Sequence, residues 1–123
     1  MAKVFVVDDD GGIVEFIKAA LPHMEHEVVL TATSRDEAVK MAGEAFHLGV
    51  EVAFVDGDLK SGAGGTEEGE AVATALRQRA PGVKVVAFTA QPDGRYGDVY
   101  LGKPARLAEI KSAIETALKL GQK

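Results

Sequence analysis

The sequence predicts an α/β domain: a parallel sheet wound with helices on both faces. Two features of the chain carry that prediction. Short apolar runs alternate with stretches whose apolar residues recur at helical spacing, and strand–helix alternation of this kind closes into a parallel sheet. The runs are also continuously apolar, as expected of strands covered on both faces.

The elements follow in order. Residues 3–7 form the first strand, ending in Asp8, Asp9 and Asp10. Ile13, Ile17, Ala20 and Leu21 mark the first helix, with Pro22 at its end. Residues 28–33 are β-branched and read as the second strand. Ser34 followed three residues later by Glu37 forms a capping box before Ala38, Val39 and Ala42. Residues 51–55 are the third strand. Thr66 and Gly69 then lead into a helix carrying Val72, Ala75 and Leu76, which Pro81-Gly82 breaks. The fourth strand covers 83–88, a loop 91–97, and a short fifth strand 98–101. The last helix is predicted over 104–120, with Pro104 in its first turn and Leu107, Ile110, Ile114 and Leu118 in one apolar stripe.

Composition excludes several classes of function. The 123 residues suit one domain spanning 1–123, with no separate output domain. The absence of cysteine removes disulfides, thiolate metal sites and thiol catalysis. A net charge of −5 without a basic stripe argues against nucleic acid. No apolar run is long enough to cross a membrane, and no signal peptide is visible, so a cytoplasmic protein is expected. His23, His26 and His47 are expected on the surface, away from any acid cluster.

The strand ends carry the chemistry. In open α/β sheets ligands bind outside the carboxyl ends of the strands. Here the first strand ends in Asp8-Asp9, the third in Asp56 and the fourth in Thr89, while Lys103 follows the fifth. Two carboxylates about 4 Å apart repel by roughly 4 kcal/mol at an effective dielectric of about 20. Three of them call for a cation, and an all-oxygen site suits Mg2+. A carboxylate beside such a metal can attack a phosphoryl group, with Lys103 neutralising the charge that builds up and Thr89 donating a hydrogen bond. Asp10 is assigned to the following helix start, where a carboxylate favours the dipole.

Four segments in this order, each at a strand end, resemble the receiver domains of two-component response regulators, the chemotaxis receiver among them. They are Val6-Val7-Asp8-Asp9-Asp10, the run from Val52 through Asp56-Gly57-Asp58-Leu59, Val85-Val86-Ala87-Phe88-Thr89-Ala90, and Tyr100-Leu101-Gly102-Lys103-Pro104. The resemblance covers essentially the whole chain. It implies a flavodoxin-like five-stranded parallel sheet of order 2-1-3-4-5. It also implies phosphorylation of Asp56, with Mg2+ held by Asp8, Asp9, Asp56 and the Asp58 backbone carbonyl. Thr89 matches the switch hydroxyl and Ala90 the small residue that admits a phosphodonor. Lys103 matches the family lysine, joined to Pro104 by a cis bond, and Tyr100 the switch aromatic. The implied partners are a sensor histidine kinase or histidine phosphotransfer protein and a downstream protein target, with no catalysis beyond the domain's own phosphorylation and dephosphorylation.

The chain departs from the family in two places. The glycine-rich loop after Asp56 (57–65) is lengthened, and Lys60 stands where the family commonly has proline. Only 13 residues, 90–102, separate Thr89 from Lys103, so the helix that normally lies between the fourth and fifth strands is predicted absent or reduced to one turn. These departures leave open a pseudo-receiver that binds partners without phosphorylation. Asp56-Gly57-Asp58 also resembles the nucleophile motif of haloacid-dehalogenase-type phosphatases, although the acid pair precedes the nucleophile and Lys60 breaks that motif.

Overall fold

The structure, a computed structural model, describes residues 2–57, 67–89 and 96–120. Five strands alternate with helices: β1 (Lys3–Val7), α1 (Gly11–Ala20), a 3-10 turn (Leu21–Met24), β2 (Glu27–Ala32), α2 (Arg35–His47), β3 (Val52–Val55), α3 (Glu67–Arg79), β4 (Lys84–Thr89), β5 (Val99–Gly102) and α4 (Leu107–Leu120). All strand pairs are parallel, in the order β2-β1-β3-β4-β5. The sheet is the flavodoxin-like one expected from the sequence. Among the described residues no helix lies between β4 and β5, and four α-helices are present.

The two-residue strand period divides the core into two layers. Val4, Val6, Val52, Phe54, Val86 and Phe88 face α1 and α4, where they meet Val14, Ile17, Ile110 and Ile114. Phe5, Val7, Ala53, Val55, Val85 and Ala87 face α2 and α3. That second layer is rich in alanine, with Ala38, Ala42 and Ala45 from α2 and Ala73 and Ala75 from α3. Small side chains let the helices lie close to the sheet. Phe54 and Phe88 pack edge to face, with centroids 6.0 Å apart, and tie the two central strands together.

Local signals account for the helix starts. Asp10 caps α1, its carboxylate accepting the N–H groups of Gly12 (2.9 Å) and Ile13 (3.3 Å). Ser34 Oγ accepts the Glu37 N–H at 3.2 Å. Glu37 in return accepts from Thr33, one residue before the cap, at 2.7 Å. Pro22 lies inside the 3-10 turn that extends α1, so the chain tightens there before it leaves the helix.

Three expectations need correction. The last helix begins at Leu107, not Pro104. Its start is set by Arg106, whose N–H reaches Glu109 Oε1 at 2.8 Å and whose carbonyl accepts from Glu109 and Ile110. Leu107 is consequently 47% exposed, and the buried stripe is Ile110, Ala113, Ile114 and Ala117. His26 is buried, unlike the exposed His23 and His47. Its Nδ1 accepts the Ala2 N–H at 3.0 Å, and Glu27 N–H bonds the Ala2 carbonyl, so this side chain pins the start of β1. Among the described residues no helix is long and apolar enough to cross a membrane.

Burial holds the His26 imidazole below its ordinary pKa, with Glu115, Glu25 and Glu51 pulling partly the other way. A depressed histidine pKa stabilises the fold above the ordinary value of about 6.5, and that contribution is lost as the pH falls below it. Asn supplies an acceptor in place of Nδ1 but does not titrate. Urea midpoints of wild type and His26→Asn measured at pH 7.5 and pH 5.5 should therefore show the wild type losing more stability than the variant, by about 1 kcal/mol, one hydrogen bond's worth.

Candidate functional site

Strand order decides which strand ends meet. β1, β3 and β4 are consecutive in the sheet, so Asp8, Asp56 and Thr89 stand side by side at its carboxyl edge. All three residues are buried. Asp8 and Asp56 each follow a strand directly and continue its hydrogen bonding, Asp8 N–H to the Ala32 carbonyl (3.0 Å) and Asp56 N–H to the Val7 carbonyl (2.9 Å). Asp8 Oδ1 also accepts the Asp10 N–H at 2.9 Å, which holds the turn that presents Asp9.

Asp8, Asp9 and Asp56 bring one carboxylate oxygen each within 4.8 Å of one another. Lys103 enters from β5. Its N–H continues the ladder to the Thr89 carbonyl (3.2 Å), and the Lys103–Pro104 bond beside it is cis. The side chain passes the Phe88 ring, with Nζ 5.1 Å from the centroid, and donates to Asp8 Oδ2 at 2.6 Å. The same ammonium is 3.3 Å from Asp56 Oδ2. Among the described residues three carboxylates therefore gather beside one part-buried ammonium, a deficit of positive charge that a divalent cation matches. The all-oxygen donor set suits Mg2+, which takes one or two carboxylates and fills its octahedron with water or phosphate oxygens.

Two of the expected site residues, Asp58 and Ala90, lie outside the described residues, as does all of the glycine-rich loop except Gly57. Tyr100 lies within β5. It is 44% exposed and borders a groove of about 370 Å3 between β5 and α4, lined also by Val99, Leu101, Glu109 and Ser112.

The sequence reading missed Tyr96, which it placed in a loop. Tyr96 is 3% exposed, and its hydroxyl donates to the Val55 carbonyl at 2.7 Å, next to Asp56. Burial, with the Asp56 charge adding to it, pushes the phenol far above its ordinary pKa and keeps it protonated. One signal for it was present: Tyr96 is the one large apolar residue between Thr89 and Val99. Gly69 completes the surroundings. A Cβ there would lie 2.8 Å from the Asp56 carbonyl oxygen and 2.8 Å from Gly57 Cα, so α3 approaches the Asp56 backbone as only glycine permits. Next to Gly69, the buried Glu68 lies 3.3 Å from Arg35 Nε of α2.

No protein-family model matches the sequence, and no curated protein matches it. Solved structures do match. A CheY-like response regulator receiver domain protein from Methanospirillum hungatei JF-1 superimposes with a TM-score of 0.81 at 21% identity, over 99% of this chain and 97% of that one. A Burkholderia pseudomallei response regulator, solved with a phosphorylated aspartic acid, calcium ion and citrate, gives 0.76 at 23% identity over 98% of this chain and 71% of that one. The response regulator TrrA of Thermotoga maritima, solved with Mg(2+)-BeF, gives 0.75 at 25% identity over 95% and 99%. The fold is that of CheY-like response regulator receiver domains.

Two substitutions test how the site is held. Lys103→Met leaves the buried Asp8 without its ammonium and should cost about 3 kcal/mol, read by urea denaturation without divalent ions. MgCl2 should restore part of that loss. Gly69→Ala forces α3 off the Asp56 backbone and should destabilise by about 2 kcal/mol in the same assay.

Proposed function

We propose that this chain is a response regulator receiver that accepts a phosphoryl group on Asp56, drawn from a sensor histidine kinase or histidine phosphotransfer protein. The observation that carries the reading is Lys103 Nζ lying between Asp8 and Asp56 beside the Asp8–Asp9–Asp56 cluster. That arrangement supplies a nucleophile, a cation site and a fixed positive charge at one edge of the sheet.

The chemistry follows from these parts. An Asp56 carboxylate oxygen forms a bond to phosphorus while the P–N bond of a phosphohistidine breaks. The electron pair leaves with the imidazole nitrogen, which takes a proton from solvent. Asp8, Asp9, Asp56 and the Asp58 carbonyl would hold Mg2+, which when bound offsets negative charge on the transferring group. Lys103 neutralises another phosphoryl oxygen from a position already set by Asp8. Thr89 donates its hydroxyl to the product, and Ala90 leaves room for the donor. The product carries more negative charge than the carboxylate it replaces, and Lys103 and Thr89 can follow that charge. Tyr100 and the groove between β5 and α4 would pass the change to a downstream protein.

Two known neighbours support this reading by their contents, one a phosphorylated aspartic acid and one Mg(2+)-BeF. Incubation with acetyl phosphate and MgCl2, followed by intact mass measurement, should show a gain of one phosphoryl group. The gain should vanish in Asp56→Asn and when the metal is chelated. Absence of a gain in wild type, or its persistence in Asp56→Asn, would sink the assignment.

A further inference from the structure

We propose that Tyr96 is a positioning residue for Asp56, setting the orientation of the backbone that carries the phosphoryl acceptor. The proposal rests on the reading of Asp56 given above. The Val55–Asp56 peptide unit is held from both sides: its N–H donates to the Val7 carbonyl at 2.9 Å, and its C=O accepts the Tyr96 hydroxyl at 2.7 Å. A peptide unit is planar, so fixing both polar ends fixes the plane and aims the Asp56 side chain that follows it. The ring acts on the same segment from another direction. A Cβ on Gly69 would lie 3.0 Å from Tyr96 Cζ and 2.8 Å from the Asp56 carbonyl oxygen, so the ring, Gly69 and the Asp56–Gly57 backbone form one close-packed junction.

Tyr96 is itself held from behind. Arg77 of α3 donates to its carbonyl at 2.8 Å and reaches Asp98 at 3.4 Å. Asp98 N–H bonds the Val85 carbonyl at 2.7 Å, and its carboxylate accepts the Val85 N–H at 2.8 Å. Gly97 lies flush on β4, where a Cβ would come within 2.6 Å of the Ala87 Cβ. The hydroxyl that meets Val55 is thus anchored to α3 and β4, and the buried phenol stays protonated and able to donate.

Tyr96→Phe keeps the ring and removes the donor. Two readouts on the full chain test the proposal: amide hydrogen exchange, and the initial rate of phosphoryl gain from acetyl phosphate with MgCl2. Exchange of the Asp56 amide should accelerate about tenfold, with the amides of Val6 and Phe54 unchanged. The phosphorylation rate should fall about tenfold, since misaiming a nucleophile by a fraction of an ångström is costly. Unchanged Asp56 protection, or protection lost equally across the sheet, would overturn the proposal, the latter showing only a structural role. So would an unchanged phosphorylation rate in the variant. If wild type takes up no phosphoryl group, the assignment of Asp56 fails by itself, and the exchange measurement still decides the role of Tyr96.

Discussion

Everything at the carboxyl edge of this sheet depends on one charge balance. Asp8, Asp9 and Asp56 converge within 4.8 Å, and the burial of Asp8 and Asp56 strips away water that would otherwise separate their charges. Lys103 offsets part of that repulsion by bonding Asp8 and approaching Asp56. The pair is specific because its geometry is fixed at both ends. Asp8 follows β1 with its backbone in the ladder, and Lys103 follows β5 with its N–H on Thr89. The remaining negative charge is of the kind that a divalent cation offsets.

The rest of the fold serves to hold those strand ends in register. Parallel pairing places the ends of β1, β3 and β4 next to one another, and the two apolar layers keep the strands from sliding. Phe88 illustrates the economy of the arrangement. The same ring packs edge to face on Phe54 and lies beneath the Lys103 ammonium, so core packing also steers the cation. On the other face the segment 96–98 fills space with one tyrosine and one glycine, tied to β4 through Asp98.

Much of this was legible in the residues because short-range physics dictates it. The Asp10 and Ser34 caps follow from local hydrogen bonding, and the burial of β1, β3 and β4 follows from uninterrupted apolar runs. Pro104 was misleading because proline suits a first helical turn, whereas Arg106 and Glu109 form a competing start further on. His26 was misread because a histidine near a helix end looks solvated, and its partner Ala2 is 24 residues away. Tyr96 was missed for the same reason at longer range, since Val55 is 41 residues distant.

The sequence by itself determined the order of strands and helices, the acids and the lysine at the strand ends, and the shortage of chain between Thr89 and Lys103. Each is a property of neighbouring residues or of chain length. Only the tertiary structure decided that Lys103 divides its charge between Asp8 and Asp56, that Gly69 lies against the Asp56 backbone, and that Tyr96 reaches Val55. Those contacts join residues far apart in the chain, and their geometry exists only once the sheet has set the distances between strand ends.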